Sequence, residues 1–419
     1  MMGVSARRDP SMRRRIHPVV ACAVLAAAVG IAPAVGIAPA AHAAETPLVI
    51  WTDATRAPVL QTQFAKGYDG HPVTVVVKEL PAIRAELKTV TVETAPDVIW
   101  AENDWTGDLA SSGLVRKLPL SATLKARFAP RTLDGFKFGF SYYGIPVMYE
   151  NVALITNAAL VPTPPKTFAA LSKKALALKA AGKVDIGLAV AQGTAGNAYF
   201  MNPLFTGLGG YVFGKNAAGS LDAYNIGIDN PTFRANMPKI DKWNATGLIN
   251  SSVDEKAATA AFIAGRAPFW ITGPWNRAEL QGLTFQYRIS PIPVIKTGIA
   301  PSPFLTIKGF MVTKFADEHG VLKSSQSMVR KVLSGDVLQT KIAALTERPP
   351  ANLSSTMGRL AQAFAVAGTD GAATPNIPQA GAIWGPLGKA WSSSTSGAGA
   401  VPAGQSFAEA QAAVAASVG

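Results

Sequence analysis

The sequence predicts an α/β fold in two domains, and two observations carry that prediction. Short strands that are apolar throughout, rather than alternating, recur between helical stretches, as in parallel strands buried on both faces. The 419 residues, 48% of them hydrophobic, suffice for two ordinary domains with sizeable cores. The first strand is 48–51, followed by a helix over 59–66 in which Leu60 and Phe64 stand four apart. Strands at Val73–Val77 and 98–100 follow, with a helix over 82–92 between them. Residues 142–157 read as two short strands separated by Tyr149, Glu150 and Asn151, and the Pro-rich stretch 161–168 leads into a helix. Lys173, Lys174, Lys179 and Lys183 fall on that helix's wet face. A second α/β region contains strands at 184–190 and within 267–275, a helix over 199–208, and a turn and strand at 207–213. The strand 305–312 and the helix 320–333 return to another layer. The tail from 371 starts Pro-rich and ends in an Ala-rich helix over 407–417, with 392–404 as a flexible connector.

The chain opens with an export signal over 1–43. Arg7, Arg8 and the run Arg13, Arg14, Arg15 precede an apolar stretch over 19–41, and Ala41, His42 and Ala43 place the cut before Ala44. An uncleaved anchor is the alternative, since about 20 apolar residues span a bilayer, but Pro33 and Pro39 favour removal. The only cysteine, Cys22, lies in a lipobox-like "VVAC" with almost no apolar run before it. Cleavage at Ala44 leaves a chain without cysteine, hence without disulfides.

Net charge is +13. Five of the 39 bases and one of the 26 acids fall in 1–43, which leaves about +9 beyond the signal. Those bases are scattered and no basic stripe with stacking aromatics appears, so nucleic acid is not a partner. Only His71 and His319 survive signal removal, each isolated, so neither a metal site nor a histidine triad is expected, and no cofactor is implied. The run from Gly209 to Lys215 imitates a phosphate loop, but Asn216 stands where a Mg²⁺-binding Ser or Thr is required, and it reads as a glycine-rich turn.

Ligands of open α/β sheets bind beyond the carboxyl ends of the strands. Asp53 and Arg56 follow the first strand, and Asp104 and Trp105 follow the third. Asp104 and Glu150 as acid and nucleophile of a glycosidase are the enzymatic option. Docking of a polyhydroxylated ligand is the other: sugar hydroxyls pair with carboxylates and guanidinium, and their C–H faces pack on aromatic rings. Trp105, Trp275 and Trp384 sit in loop-like settings suited to this. Trp51, Trp100 and Trp270 end apolar strands and read as core, while Trp243 and Trp391 read as packing or surface.

The segments "LVIWTDATR", "APDVIWAENDWTGDLASSGLV", "GIPVMYENVALITN", "PTPPKTF", "YFMNPLFTGLGGYVF", "AAFIAGRAPFWITGPWN" and "TPNIPQAGAIW" follow one another as in the maltose/maltodextrin-binding proteins of ABC importers, and the chain resembles that family over nearly its whole mature length. The family belongs to the family 1 extracellular solute-binding proteins. The resemblance implies a type II periplasmic-binding-protein-like fold, two α/β lobes joined by a hinge, with 44–152 and 309–352 as the N-terminal lobe and 153–308 and 353–419 as the C-terminal lobe. It implies a non-enzymatic, monomeric protein, exported to the periplasm or cell surface, free or anchored, that delivers an oligosaccharide to permease subunits. Asp53, Arg56 and Asp104 would bind sugar hydroxyls from one lobe, with Trp105 beside them and Glu150 near the hinge. Tyr199, Trp275 and Trp384 would be aromatic platforms of the other lobe. Glu102 and Asp108 are left as solvated acids. Two departures bear on the sugar's identity: Asn197 stands near a position where an acid is frequent, and Gly388 where a basic residue follows the last tryptophan. Maltose or maltodextrin is the expected ligand, with another disaccharide such as trehalose or cellobiose as runner-up, and a secreted glycosidase or an anchored sugar sensor from other classes.

Overall fold

The computed structural model describes residues 46–419. The signal, its cleavage site and Cys22 lie outside the described residues. Among those described, no helix is long and apolar enough to cross a membrane.

The three N-terminal strands, β1 (Leu48–Thr52), β2 (Val73–Val77) and β3 (Val98–Glu102), are parallel, with Leu48 opposite Val73 and Ile50 opposite Val98. Two further strands, β4 (Gly144–Glu150) and β5 (Ala153–Asn157), are consecutive in sequence yet lie in different sheets. The second sheet is completed by β6 (Ala189–Val190), β7 (Phe269–Thr272) and β8 (Tyr287–Ser290), in the order β8-β5-β7-β6. The chain then returns through β9 (Phe304–Val312) to the first sheet, whose order is β10-β9-β3-β1-β2, with β4 also on β9 and β10 spanning Ala372–Ala373.

The parallel pairing expected of β1, β2 and β3 is present, but the sheet is mixed: β9 runs antiparallel to both β3 and β4. It arrives from the other lobe rather than over a helix crossover on its own sheet, so nothing imposes the parallel direction. The predicted strand 184–190 shortens to β6. The 392–404 stretch is no flexible connector. A helix runs through it to Ser394, the Thr395 hydroxyl donates to the Trp391 carbonyl at 2.7 Å, and the Gly397 amide donates to Asn244 at 2.8 Å. Its Ser- and Thr-rich composition reads as loop, but those hydroxyls bond back onto the preceding helical turn.

Alternate residues of the second sheet serve two cores. Leu154, Phe269 and Ile271 face one, while Ala153, Ile155 and Trp270 face the other, the period of two expected of a sheet covered on both sides. Trp100 packs edge-on to Phe310 at 5.0 Å in the first lobe's core and is fully buried. Trp51, Trp100 and Trp270 are thus core, and Trp243 and Trp391 are buried packing residues rather than surface.

His319 closes the edge of the first lobe. Its Nδ1 lies 2.8 Å from the carboxylate of fully buried Asp97, and its Nε2 lies 2.6 Å from the Val92 carbonyl. Two acceptors around one ring favour the imidazolium, in which both nitrogens donate. Burial alone would lower its pKa, but hydrogen bonds to Asp97 and Val92 raise it above 6.5. A raised histidine pKa gives stability that is full below about pH 6.5 and is lost as pH rises through the folded value. Thermal melts should therefore fall in midpoint from pH 6 to pH 9, by the equivalent of about 1 kcal/mol. His319→Ala should flatten that slope, and an unchanged slope would refute the assignment.

Candidate functional site

The carboxyl end of β3, the end of β4 and the middle of β9 meet where the chain crosses between lobes. Here Glu102, Asp104, Glu150 and Thr306 face Tyr199, Trp275 and Trp384 across a cavity of about 360 Å³, with Thr374 on its wall. Five of the eight predicted residues line it: Asp104, Glu150, Tyr199, Trp275 and Trp384.

Each is positioned by local chain chemistry. Tyr199 opens the helix Ala198–Gly207, whose N-cap Asn197 accepts from the Tyr199 and Phe200 amides at 3.1 and 3.2 Å. Asn197 is thus a helix cap. Trp275 sits in the turn after β7, where a Cβ on Gly273 would lie 2.1 Å from its ring, so only glycine lets the indole fold back. Trp384 begins the helix Trp384–Ser394. Gly388, in that same helix, is pressed by the preceding loop: a Cβ on Gly196 would lie 1.7 Å from the Gly388 carbonyl. A Cβ on Gly388 itself would lie 3.2 Å from the Ala195 carbonyl oxygen and 3.3 Å from the Gly196 carbonyl, so a side chain there would press on this loop. Tyr199 stacks on Phe304 at 6.2 Å and leans on Trp275 at 6.0 Å, while Phe304 meets Trp384 edge-on at 5.5 Å. The result is one continuous aromatic wall. The Tyr199 hydroxyl donates to the Glu150 carbonyl at 3.2 Å, so that wall touches the point where the chain passes from one sheet to the other.

The opposite wall is charged. Lys308, a lone base in the apolar strand β9, reaches Glu102 at 3.1 Å and Glu150 at 3.0 Å, and Arg348 pairs with the other Glu150 oxygen. Burial would raise the Glu150 pKa, but Lys308 and Arg348 hold it down at about 2. Burial pushes Asp104 up to about 7, with Glu102 adding like-charge repulsion. Glu102 and Glu150 are thus paired with Lys308 and Arg348, two acids against two bases.

Three predicted residues lie elsewhere. Trp105 is buried and faces an adjoining cavity of about 650 Å³ that shares Glu102 and Asp104 with the first, with the Arg84 guanidinium 5.7 Å over its ring. Asp53 and Arg56 are buried and paired with each other, and Arg56 lies 4.4 Å over the Trp100 ring. Burial lowers the Arg56 pKa and Asp53 counters it, with Glu150 and Arg348 close enough to contribute. Neither Asp53 nor Arg56 lines the cavity. Glu102 is not a solvated acid as expected but lines both cavities, and Asp108 is held by Lys88 at 3.0 Å and Arg84 at 3.5 Å. Sequence reasoning missed Glu102, Thr306, Thr374, Lys308 and Arg348. Lys308 carried a signal, since a base inside an apolar strand demands a buried partner. Thr374 carried none. Among the described residues no cluster of His, Cys, Asp or Glu is fit to hold a metal ion.

The galactooligosaccharide-binding protein of Bacillus subtilis is 26% identical over 360 residues, 81% of this chain and 82% of its own. The maltodextrin-binding protein MdxE of the same organism is 26% identical over 340 residues, 78% of each chain. A crystal structure of a cyclo/maltodextrin-binding protein complexed with maltotetraose superposes with a TM-score of 0.76 at 22% identity, covering 88% of this chain and 96% of that one. That likeness fixes the fold as the two-lobed type II architecture. The family model described as bacterial extracellular solute-binding protein matches residues 49–320, and the chain belongs to that family.

Proposed function

We propose that this protein is the extracytoplasmic sugar-binding component of an ABC importer, and that it holds a maltooligosaccharide in the cavity between its lobes for delivery to a membrane permease. One observation carries the reading: three aromatic rings from the second lobe face the carboxyl groups of the first across a cavity whose Glu102 and Glu150 are paired with Lys308 and Arg348. A neutral polyol offers hydroxyls to the acids and C–H faces to the rings, and contacts on both lobes are what a hinge closure requires. Asp104, Glu150, Tyr199, Trp275 and Trp384 are the proposed contacts, with Glu102, Thr306 and Thr374 added. Trp105 extends the site into the adjoining cavity. Arg56 acts on Glu150 by charge alone, and Asp53 holds the Arg56 guanidinium.

The similarity is equal, at 26%, to a maltodextrin-binding and a galactooligosaccharide-binding relative, so the linkage is the first thing to test. Tryptophan fluorescence titrated with maltose, maltotriose, a galactooligosaccharide, trehalose and cellobiose should respond best to maltotriose. Trp275→Ala and Trp384→Ala should each weaken that response about tenfold or more, the loss of one packed ring. Silence towards every sugar would overturn the reading, and a preference for the galactooligosaccharide would replace the glucan.

One observation favours hydrolysis instead: Asp104 near 7 and Glu150 near 2 imitate the split acid and nucleophile of a glycosidase. The geometry speaks against it. Both Glu150 oxygens are held, one by Lys308 and one by Arg348, which leaves neither poised to attack a sugar carbon. Glucose released from maltotriose by the purified protein would restore the enzyme.

A further inference from the structure

Asp104 stands apart from the other acids of the cleft. Its Oδ1 is buried and finds no hydrogen-bond partner among the described residues. Its carboxyl belongs to the walls of both cavities, beside Glu102 two residues earlier. The bases around it are engaged elsewhere. Arg84, on the helix Leu80–Glu86, and Lys88 just beyond it hold Asp108 at 3.5 and 3.0 Å. Lys308, on β9, lies between Glu102 and Glu150. The remaining titratable group on the facing wall is the Tyr199 phenol, which burial and the nearby Glu150 keep neutral. Neither cavity is lined by a histidine.

We propose that capture of a sugar releases a proton from Asp104, so that ligand affinity is coupled to pH through this one carboxyl group. The inference rests on the sugar-binding reading of the cleft. A sugar hydroxyl donates its hydrogen, and the acceptor that lacks a partner is Oδ1. A hydrogen bond made to the charged form favours that form, and a charge-assisted bond is the stronger one. In the free protein burial and Glu102 hold Asp104 up at about 7, so a large share of molecules carry the proton near neutrality. Binding replaces Asp104–COOH by Asp104–COO⁻ with a hydroxyl hydrogen bond, and the proton passes to solvent. Below the free group's midpoint, affinity must then rise with pH, because the ionised form is the one that binds. Above the midpoint it must be flat. The groups that set the midpoint are Glu102, which raises it, and Arg84 and Lys308, which lower it.

Isothermal titration with maltotriose, at matched pH in two buffers of different ionisation enthalpy, tests the coupling. The expected result is a release of up to about one proton per sugar at pH 6, falling towards zero by pH 9. Kd should weaken about tenfold for each pH unit below the midpoint. Asp104→Asn should abolish both effects. Glu102→Gln removes the like charge and should move the midpoint to lower pH, which keeps the test decisive if Asp104→Asn no longer binds. Binding with identical heats in both buffers, or affinity that falls as pH rises, overturns the coupling and leaves the sugar site standing. Absence of binding to any sugar at any pH overturns the sugar-binding reading and the coupling with it.

Discussion

Asn103→Ala is expected to destabilise the protein by about 3–5 kcal/mol and to weaken sugar affinity at least tenfold. Asn103 is fully buried, and its amide group joins three segments that are distant in sequence. Nδ2 donates to the Thr374 carbonyl at 2.8 Å, while Oδ1 accepts from the Ile307 amide at 2.9 Å and from the Thr374 hydroxyl at 2.8 Å. Alanine removes all three bonds and leaves a backbone amide, a carbonyl and a hydroxyl in a buried setting, at roughly 1–3 kcal/mol each where water cannot replace the partner. The neighbouring chain has little room to relax. A Cβ on Gly107 would lie 2.5 Å from the Asn376 carbonyl, and the Asn376 side chain itself donates to the carbonyls of Asp134, Gly135 and Lys137. The segment 374–376 is thereby fastened to the first lobe, and Thr374 is part of the cavity wall. Urea unfolding and maltotriose titration measure the two effects separately. An Asn103→Ala protein of full stability and reduced affinity would make Asn103 a ligand contact rather than a brace.

Most of the fold was legible because it depends on local pattern. The apolar runs at β1, β2, β3, β5, β7 and β9 mark strands whatever lies far away, and the aromatic members of the cavity follow turn signals such as the Gly273-Pro274 pair before Trp275. The direction of β9 was not legible, because a strand's polarity depends on where the chain comes from and not on what the strand contains. The same limit applied to the site. Asp53 and Arg56 stand in the right place after β1, but the sequence does not say that they face each other and a tryptophan instead of the cavity. Glu102 was passed over as one acid among several, although it ends β3 directly before the helical turn that carries Asp104. Thr374 joins the site only through the last crossing between lobes, and no spacing announces that.

The Glu150 network sets the second large effect. Glu150→Gln should destabilise the protein by about 2–4 kcal/mol, near the lower end for a broken buried ion pair, because Lys308 keeps Glu102 and Arg348 keeps the Thr346 carbonyl at 3.2 Å. The pH dependence has a definite sign. The folded pKa of Glu150 is depressed from 4.5 to about 2, so its contribution is full above about pH 4.5 and is lost as pH falls towards 2. The Glu150→Gln variant should lack that component of acid destabilisation, and its stability should therefore approach that of the parent as the pH falls. Arg348→Met added to Glu150→Gln removes the stranded cation, and the double variant should be more stable than the sum of the two single losses predicts. Affinity should fall together with stability, since the Glu150 side chain lines the cavity and its charge holds Lys308 and Arg348 in place there. Additive losses in the double variant, or an unchanged acid transition in Glu150→Gln, would mean that Lys308 and Arg348 are held by their other partners. Glu150 would then serve the ligand alone.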